Sequence, residues 1–250
     1  MEKVQSADGV LIAYERSGSG PALILVTGAF NDRTSSRPLA AVLAADFTVY
    51  AYDRRGRGDS EDGDSYAIDR EAADLAAVAA EAGGSPLVYG HSSGASIALE
   101  AAARGADMRA LAVYEPPYGT NSTFALADEL EQLAATGQDS AAAERFMRHA
   151  GTPPEMIEQM KAGPYWANLT GFARTLPYDI RLASVPIPGL SGVASPVLAL
   201  AGSASPAWAR DAAEAIGADA PDGRLLILPG QTHAVATEVI VPVLTEFFLA

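Results

Sequence analysis

The chain is 250 residues long with a formal net charge of −14; 49% of its residues are hydrophobic and 19% are charged. That length fits one large α/β domain with a substantial core, and the negative charge argues against nucleic acid or an anionic membrane as a partner. Cysteine is absent, which excludes disulfides, thiolate nucleophiles and Cys-based metal sites. The first residues lack the apolar core of a secretory signal, and no apolar run reaches the roughly 18 residues needed to span a bilayer. The expectation is a soluble cytoplasmic protein.

Val10–Glu15 and Ala22–Val26 read as strands separated by the turn Ser17-Gly18-Ser19-Gly20-Pro21. A helix over Pro38–Ala45 and a strand over Phe47–Tyr52 follow. Ile68–Ala82 reads as a helix, with Asp69 as its capping residue. The apolar run Ser85–Tyr89 is the next strand, Ala95–Ala103 the next helix and Arg109–Tyr114 a further strand. Helical segments then replace the alternation: Phe124–Thr136, Ser140–Ala150 and Pro154–Ala162. Alternation resumes with the strand Ser195–Gly202, the helix Ala207–Ile216, the strand Arg224–Leu228 and the helix Ala236–Leu249. Strands alternating with helices at this spacing indicate a mostly parallel sheet covered on both faces. The expected organisation is a core from residues 1–115 and 191–250, with residues 116–190 inserted as a helical cap.

Gly90-His91-Ser92-Ser93-Gly94 stands between a strand and a helix. In that setting a G-x-S-x-G stretch makes a sharp turn that lifts the serine hydroxyl clear of the sheet edge. The two glycines let strand and helix approach without Cβ clashes. The Ser92 and Ser93 amides fall at a helix N-terminus, where negative charge is stabilised.

With these features the chain resembles the α/β-hydrolase superfamily over nearly its whole length. Val26-Thr27-Gly28-Ala29-Phe30 occupies the place of that family's oxyanion loop. Tyr52–Ser60 is similar to its arginine- and glycine-rich loop, and Pro229-Gly230-Gln231-Thr232-His233 to its histidine loop. The resemblance implies an eight-stranded, mostly parallel sheet flanked by helices. Two departures stand out. Thr27-Gly28 replaces a His-Gly pair, and the loop Ser203-Ala204-Ser205-Pro206, where the family usually carries its acid, contains no carboxylate.

A serine hydroxyl needs a base within hydrogen-bond reach. Of the three histidines, His91 adjoins the nucleophile and supports the elbow, and His149 reads as a surface residue of the helical block. His233 lies in the loop that returns to the active edge of the sheet, and is the candidate base. For the orienting carboxylate, Glu115 follows a strand adjacent to the nucleophile strand, at the carboxyl end where open α/β sheets place their sites; Pro116-Pro117 fixes the chain's exit. A minority of α/β-hydrolases resemble this placement of the acid. Asp53 is the next candidate, although its Asp-Arg-Arg context favours a structural ion pair. The oxyanion donors are expected to be the Ala29 and Ser93 amides. Phe30 and Trp166 are the expected substrate contacts, with Tyr165 and Phe172 as further aromatic candidates.

The resulting reading is a serine hydrolase that cleaves a carboxylic ester or lactone through an acyl-enzyme, with no cofactor, no metal and a small-molecule partner. Serine as nucleophile disfavours epoxide hydrolysis and dehalogenation, which use aspartate on this fold. A C–C hydrolase, a hydroxynitrile lyase or a polyketide-tailoring enzyme would keep the same triad. A ligand-binding protein of this fold, as some hormone receptors are, is the alternative of a different class.

Overall fold

All 250 residues are described in a computed structural model. Eight strands form a single sheet: β1 Glu2–Gln5, β2 Leu11–Gly18, β3 Ala22–Val26, β4 Thr48–Tyr52, β5 Leu87–His91, β6 Ala110–Tyr114, β7 Val197–Gly202 and β8 Gly223–Leu228. The order across the sheet is β1-β2-β4-β3-β5-β6-β7-β8. β2 pairs antiparallel with both β1 and β4; every other pairing is parallel. The carboxyl ends of β3, β5, β6, β7 and β8 therefore emerge along one edge, and their loops meet there.

Side chains alternate along each strand, so each strand feeds two cores. Leu23, Leu25, Leu87 and Tyr89 pack with α1 (Arg37–Leu43) and α10 (Thr237–Leu249) on one face. Ile24, Val26, Val88 and Val113 pack with α2 (Ile68–Glu81), α3 (Ser93–Ala103) and α9 (Ala207–Asp219) on the other. The chain between β6 and β7 contains helices and no strand: α4 Phe124–Ala135, α5 Asp139–His149, α6 Pro154–Ala162, α7 Trp166–Thr170 and α8 Leu176–Ala183. Leu126, Leu130, Ala143, Leu176 and Ile180 give this block an apolar core of its own. No helix is long and apolar enough to cross a membrane.

Three local features differ from the sequence reading. β1 has the composition Glu-Lys-Val-Gln and is mostly exposed, so it carries no hydrophobic signature; its pairing with β2 holds it in place. α7, of five residues, and α8, of eight, are helices that the sequence reading does not contain. At α2 the N-cap is Ala67, without a side-chain hydrogen bond. Asp69 lies inside the first turn, where its charge opposes the helix dipole's positive end.

The loop after β4 also corrects an expectation. Asp53 is an ion-pair residue, but its partner is Arg33, before α1, rather than the arginines that follow it. The fully buried Asp53 carboxylate accepts from the Arg33 guanidinium, from the Arg33 amide at 2.7 Å and from the Asp59 amide at 2.8 Å. Arg55 instead pairs with Asp74 at 2.7 Å and Asp8 at 2.9 Å. Arg33 keeps Asp59 at 2.6 Å and Glu15 at 3.2 Å, so Asp53→Asn leaves it paired but weakens three hydrogen bonds to a buried charged acceptor, and should cost about 2 kcal/mol of stability. Urea unfolding should show an earlier midpoint, and an unchanged midpoint would contradict this placement.

Candidate active site

Ser92 stands at φ 56° and ψ −130°, between the last residue of β5 and the first of α3. This is a sparsely populated backbone region, and the neighbouring glycines make it accessible. A Cβ at Gly90 would come within 2.6 Å of the Ala95 Cα, and one at Gly94 would collide with the Val26 carbonyl. A Cβ at Gly28 would approach the Ser92 Cβ to 2.7 Å, so the β3 loop lies directly against the serine. The Ser92 amide is tied across the sheet to the Tyr114 carbonyl at 2.9 Å.

Glu115, one residue past the end of β6, also has positive φ, at 46°. This turn folds its carboxylate back over the ends of β7 and β8. Oε1 accepts from the Gly202 amide at 2.7 Å and from Ser205 Oγ at 2.5 Å; Oε2 meets His233 Nδ1 at 2.7 Å. The group is fully buried. Burial alone would raise its pKa, but the hydrogen bonds from His233, Ser205 and Gly202 outweigh it and hold the pKa below its ordinary value. The loop 203–206 thus contributes one donor, Ser205, to a carboxylate that comes from the neighbouring strand.

The backbone of the His233 loop is tethered carbonyl by carbonyl. Gln231 O accepts from the Ala204 amide at 2.9 Å, Thr232 O from the Tyr114 hydroxyl at 2.6 Å, and His233 O from His91 Nε2 at 2.8 Å. His91 therefore supports the histidine loop, whereas the sequence suggested support of the elbow. Its ring stacks on Tyr114, 9° from parallel. Acting as a donor to a carbonyl requires the Nε2–H tautomer. Nδ1 of His233 is engaged by Glu115; its Nε2 and the Ser92 hydroxyl form no hydrogen bond inside the chain.

Beside Ser92, the Ser93 amide occupies the first position of α3, one of the unpaired N–H groups at a helix start. In the β3 loop neither the Ala29 nor the Phe30 amide donates within the chain. Phe30 has φ 57°, and its ring meets Phe146 of α5 edge-on at 5.3 Å. Behind this loop lies a network the sequence did not reveal. Arg57 donates to the Gly28 carbonyl at 2.6 Å, and Arg54 pairs with Glu71. Both arginines also reach Asp179 of α8 at 2.7 Å. No pattern in the sequence pointed to Asp179, because its partners Arg54 and Arg57 lie 125 and 122 positions away in the chain.

Trp166 is half-buried against the apolar core of the helical block, and its indole N–H donates to Ser140 Oγ at 3.1 Å. Tyr165 is exposed. His149 is part-buried, its Nε2 sharing a 2.8 Å hydrogen bond with Ser122 Oγ, and is not the free surface residue expected. A cleft of about 400 Å³, lined by Thr27, Gly28, Asn31, His91, Ala234 and Thr237, opens between the β3 loop and the His233 loop. On the other flank Trp208 meets the His233 ring at 5.8 Å.

The sequence profile of the alpha/beta hydrolase family matches residues 23–239. A solved alpha/beta hydrolase from Sphaerobacter thermophilus is 43% identical, with a TM-score of 0.91, covering 99% of this chain and 100% of that one. N-formylmaleamate deformylase from Pseudomonas putida is 41% identical over 117 residues, a stretch spanning 45% of this chain and only 44% of that protein. A 2-(acetamidomethylene)succinate hydrolase from Mesorhizobium japonicum is 26% identical over 95% of this chain and 91% of that one.

Burial, joined by the proximity of His233, pushes the pKa of His91 down to about 4. Above about 6.5, the ordinary histidine value, folded and unfolded chains both hold it neutral. Between there and about 4 only the unfolded chain takes up the proton, so this group's contribution to stability is lost as pH falls through that window. His91→Gln cannot titrate. Between pH 7 and pH 5 the urea midpoint of the wild type should therefore drop further than that of the variant; equal drops would contradict a neutral His91.

Proposed function

The chain belongs to the alpha/beta hydrolase family, and we propose that it is a serine hydrolase cleaving a carboxylic ester or lactone through an acyl-enzyme. The observation that carries this reading is the buried Glu115 carboxylate, 2.7 Å from His233 Nδ1 on the sheet edge where Ser92 is held in a strained turn. Glu115 keeps the proton of neutral His233 on Nδ1, which leaves the Nε2 lone pair free for the Ser92 hydroxyl. As Ser92 Oγ attacks the carbonyl carbon, its proton passes to His233 Nε2. The Ser93 and Ala29 amides receive the charge developing on the carbonyl oxygen. Collapse of the tetrahedral intermediate breaks the bond to the leaving alcohol, which takes the proton from His233. A water molecule, deprotonated by the same nitrogen, then releases the acid and restores Ser92. Residues 116–190 act as the cap over the core of residues 1–115 and 191–250, with Phe30 bridging the oxyanion loop to that cap.

Cleavage of a small N-acyl group is the second reading, favoured by the 41% identity with N-formylmaleamate deformylase. A panel of aryl esters, lactones and N-formyl or N-acetyl amides separates the two.

Fluorophosphonate should label the wild type at Ser92. Ser92→Ala should abolish labelling and lower kcat by on the order of 10⁴ to 10⁶ with folding intact. A protein that stays unlabelled belongs with the ligand-binding members of the fold. Glu115→Gln offers a finer test. The donors from Gly202 and Ser205 on Oε1 force the new amide nitrogen towards His233 Nδ1. The amide would then donate to Nδ1, placing the imidazole proton on Nε2, where it blocks the base. kcat should fall by on the order of 10² to 10⁴; a wild-type kcat would remove Glu115 from the triad.

A further inference from the structure

Asp179 lies on α8, in the helical block, far in sequence from the nucleophile, and is 3% exposed. Its Oδ1 accepts from Ser93 Oγ at 2.6 Å and from Arg54 Nη1 at 2.7 Å; its Oδ2 accepts from Arg57 Nη2 at 2.7 Å. The same guanidinium nitrogen of Arg54 donates to Ser93 Oγ at 3.1 Å, so the Ser93 hydroxyl is held as donor and acceptor at once. Arg57 uses its other terminal nitrogen on the Gly28 carbonyl at 2.6 Å and the Asn31 carbonyl at 3.3 Å, and its Nε on Thr175 Oγ1 at 3.2 Å. One carboxylate thus fixes Ser93 directly and, through Arg57, the carbonyls that flank Ala29 and Phe30. These are the two segments that contribute the oxyanion amides.

We propose that Asp179 is a positioning residue for the oxyanion hole, through which the helical block sets the spacing between the Ser93 and β3-loop amides. The proposal rests on the serine-hydrolase reading above. Its chemistry is electrostatic preorganisation: amides fixed before reaction stabilise the developing oxyanion without a reorganisation cost, and displacements of about 1 Å forfeit much of that effect. Glu71 supplies the second negative charge, so the two arginines are balanced by two carboxylates and the charge near the reacting oxygen stays oriented without a net excess. Two arginines beside it outweigh burial and keep the Asp179 pKa below its ordinary value, so the clamp stays charged.

The test uses Asp179→Asn and Ser93→Ala; the second keeps the backbone amide and removes only the clamped hydroxyl. Tyr178→Phe serves as a control, because the Tyr178 hydroxyl ties the same helix to Asp62 at 2.9 Å without touching the clamp. Rates on p-nitrophenyl acetate are normalised to active sites titrated to endpoint with fluorophosphonate, which removes any effect of a reduced folded fraction. Asp179→Asn should lose on the order of 10²-fold in normalised kcat and Ser93→Ala about 10-fold, with KM changed little. The inhibition constant of a trifluoromethyl ketone, which forms the oxyanion, should rise in proportion, while Tyr178→Phe stays at the wild-type value. If Asp179→Asn does not fold, Ser93→Ala decides the matter. Normalised kcat within two-fold of wild type in a folded clamp variant, or a kcat loss without the matching rise in inhibition constant, overturns the proposal. A wild type that fluorophosphonate does not label overturns the hydrolase reading instead.

Discussion

The Glu115 carboxylate is the junction on which the site's geometry depends. It leaves β6 at a left-handed turn and binds the end of β7 through the Gly202 amide, the β7–α9 loop through Ser205, and the β8–α10 loop through His233. A charged group buried at the edge of a sheet is tolerable only when its lone pairs are used, and here three donors use them. Two of these bonds, from Gly202 and Ser205, hold the carboxylate in place, and the third joins it to His233 Nδ1. Tyr114 and His91, next to Glu115 and Ser92 respectively, hold the carbonyls of Thr232 and His233, so the histidine loop is fixed by its backbone as well as by its ring.

A second set of buried charges lies behind the β3 loop and has a different source. Arg54 and Arg57 follow β4 in sequence, while their partner Asp179 comes from the helical block. The ion pairs place elements distant in sequence in one fixed arrangement, in a region where unpaired charges would be costly. The elbow, the β3 loop and α8 are therefore joined into one floor, with the apolar interior of the helical block above it. Phe30 against Phe146 is the contact that continues this floor into the block.

The elbow was legible because close approach demands glycine. Gly90, Gly94 and Gly28 each sit where a Cβ would clash, and two of them bracket the serine in the sequence itself. The Glu115–His233 contact was legible from position, since Glu115 follows a strand beside the nucleophile strand at the carboxyl edge of the sheet. What stayed hidden were partnerships across long sequence separations. Arg33 with Asp53, and Asp179 with Arg54 and Arg57, leave no local pattern. The helix carrying Asp179 buries Leu176, Ile180 and Ala183 on one face, but that period says nothing of which charges Asp179 meets. β1 was hidden for a related reason, because a four-residue polar edge strand is specified by its neighbour rather than by its own composition.

The central claim is that Glu115 holds the proton of His233 on Nδ1 and so leaves Nε2 for Ser92. Proton NMR of the ¹⁵N-histidine-labelled protein observes this bond directly. A strongly deshielded N–H resonance, assigned to His233 by its loss in His233→Ala, should be present in the wild type and should move far upfield or vanish in Glu115→Gln. If His233 gives no deshielded Nδ1 proton, or gives one that does not respond to Glu115→Gln, the imidazole is oriented by something other than this carboxylate and the account is wrong.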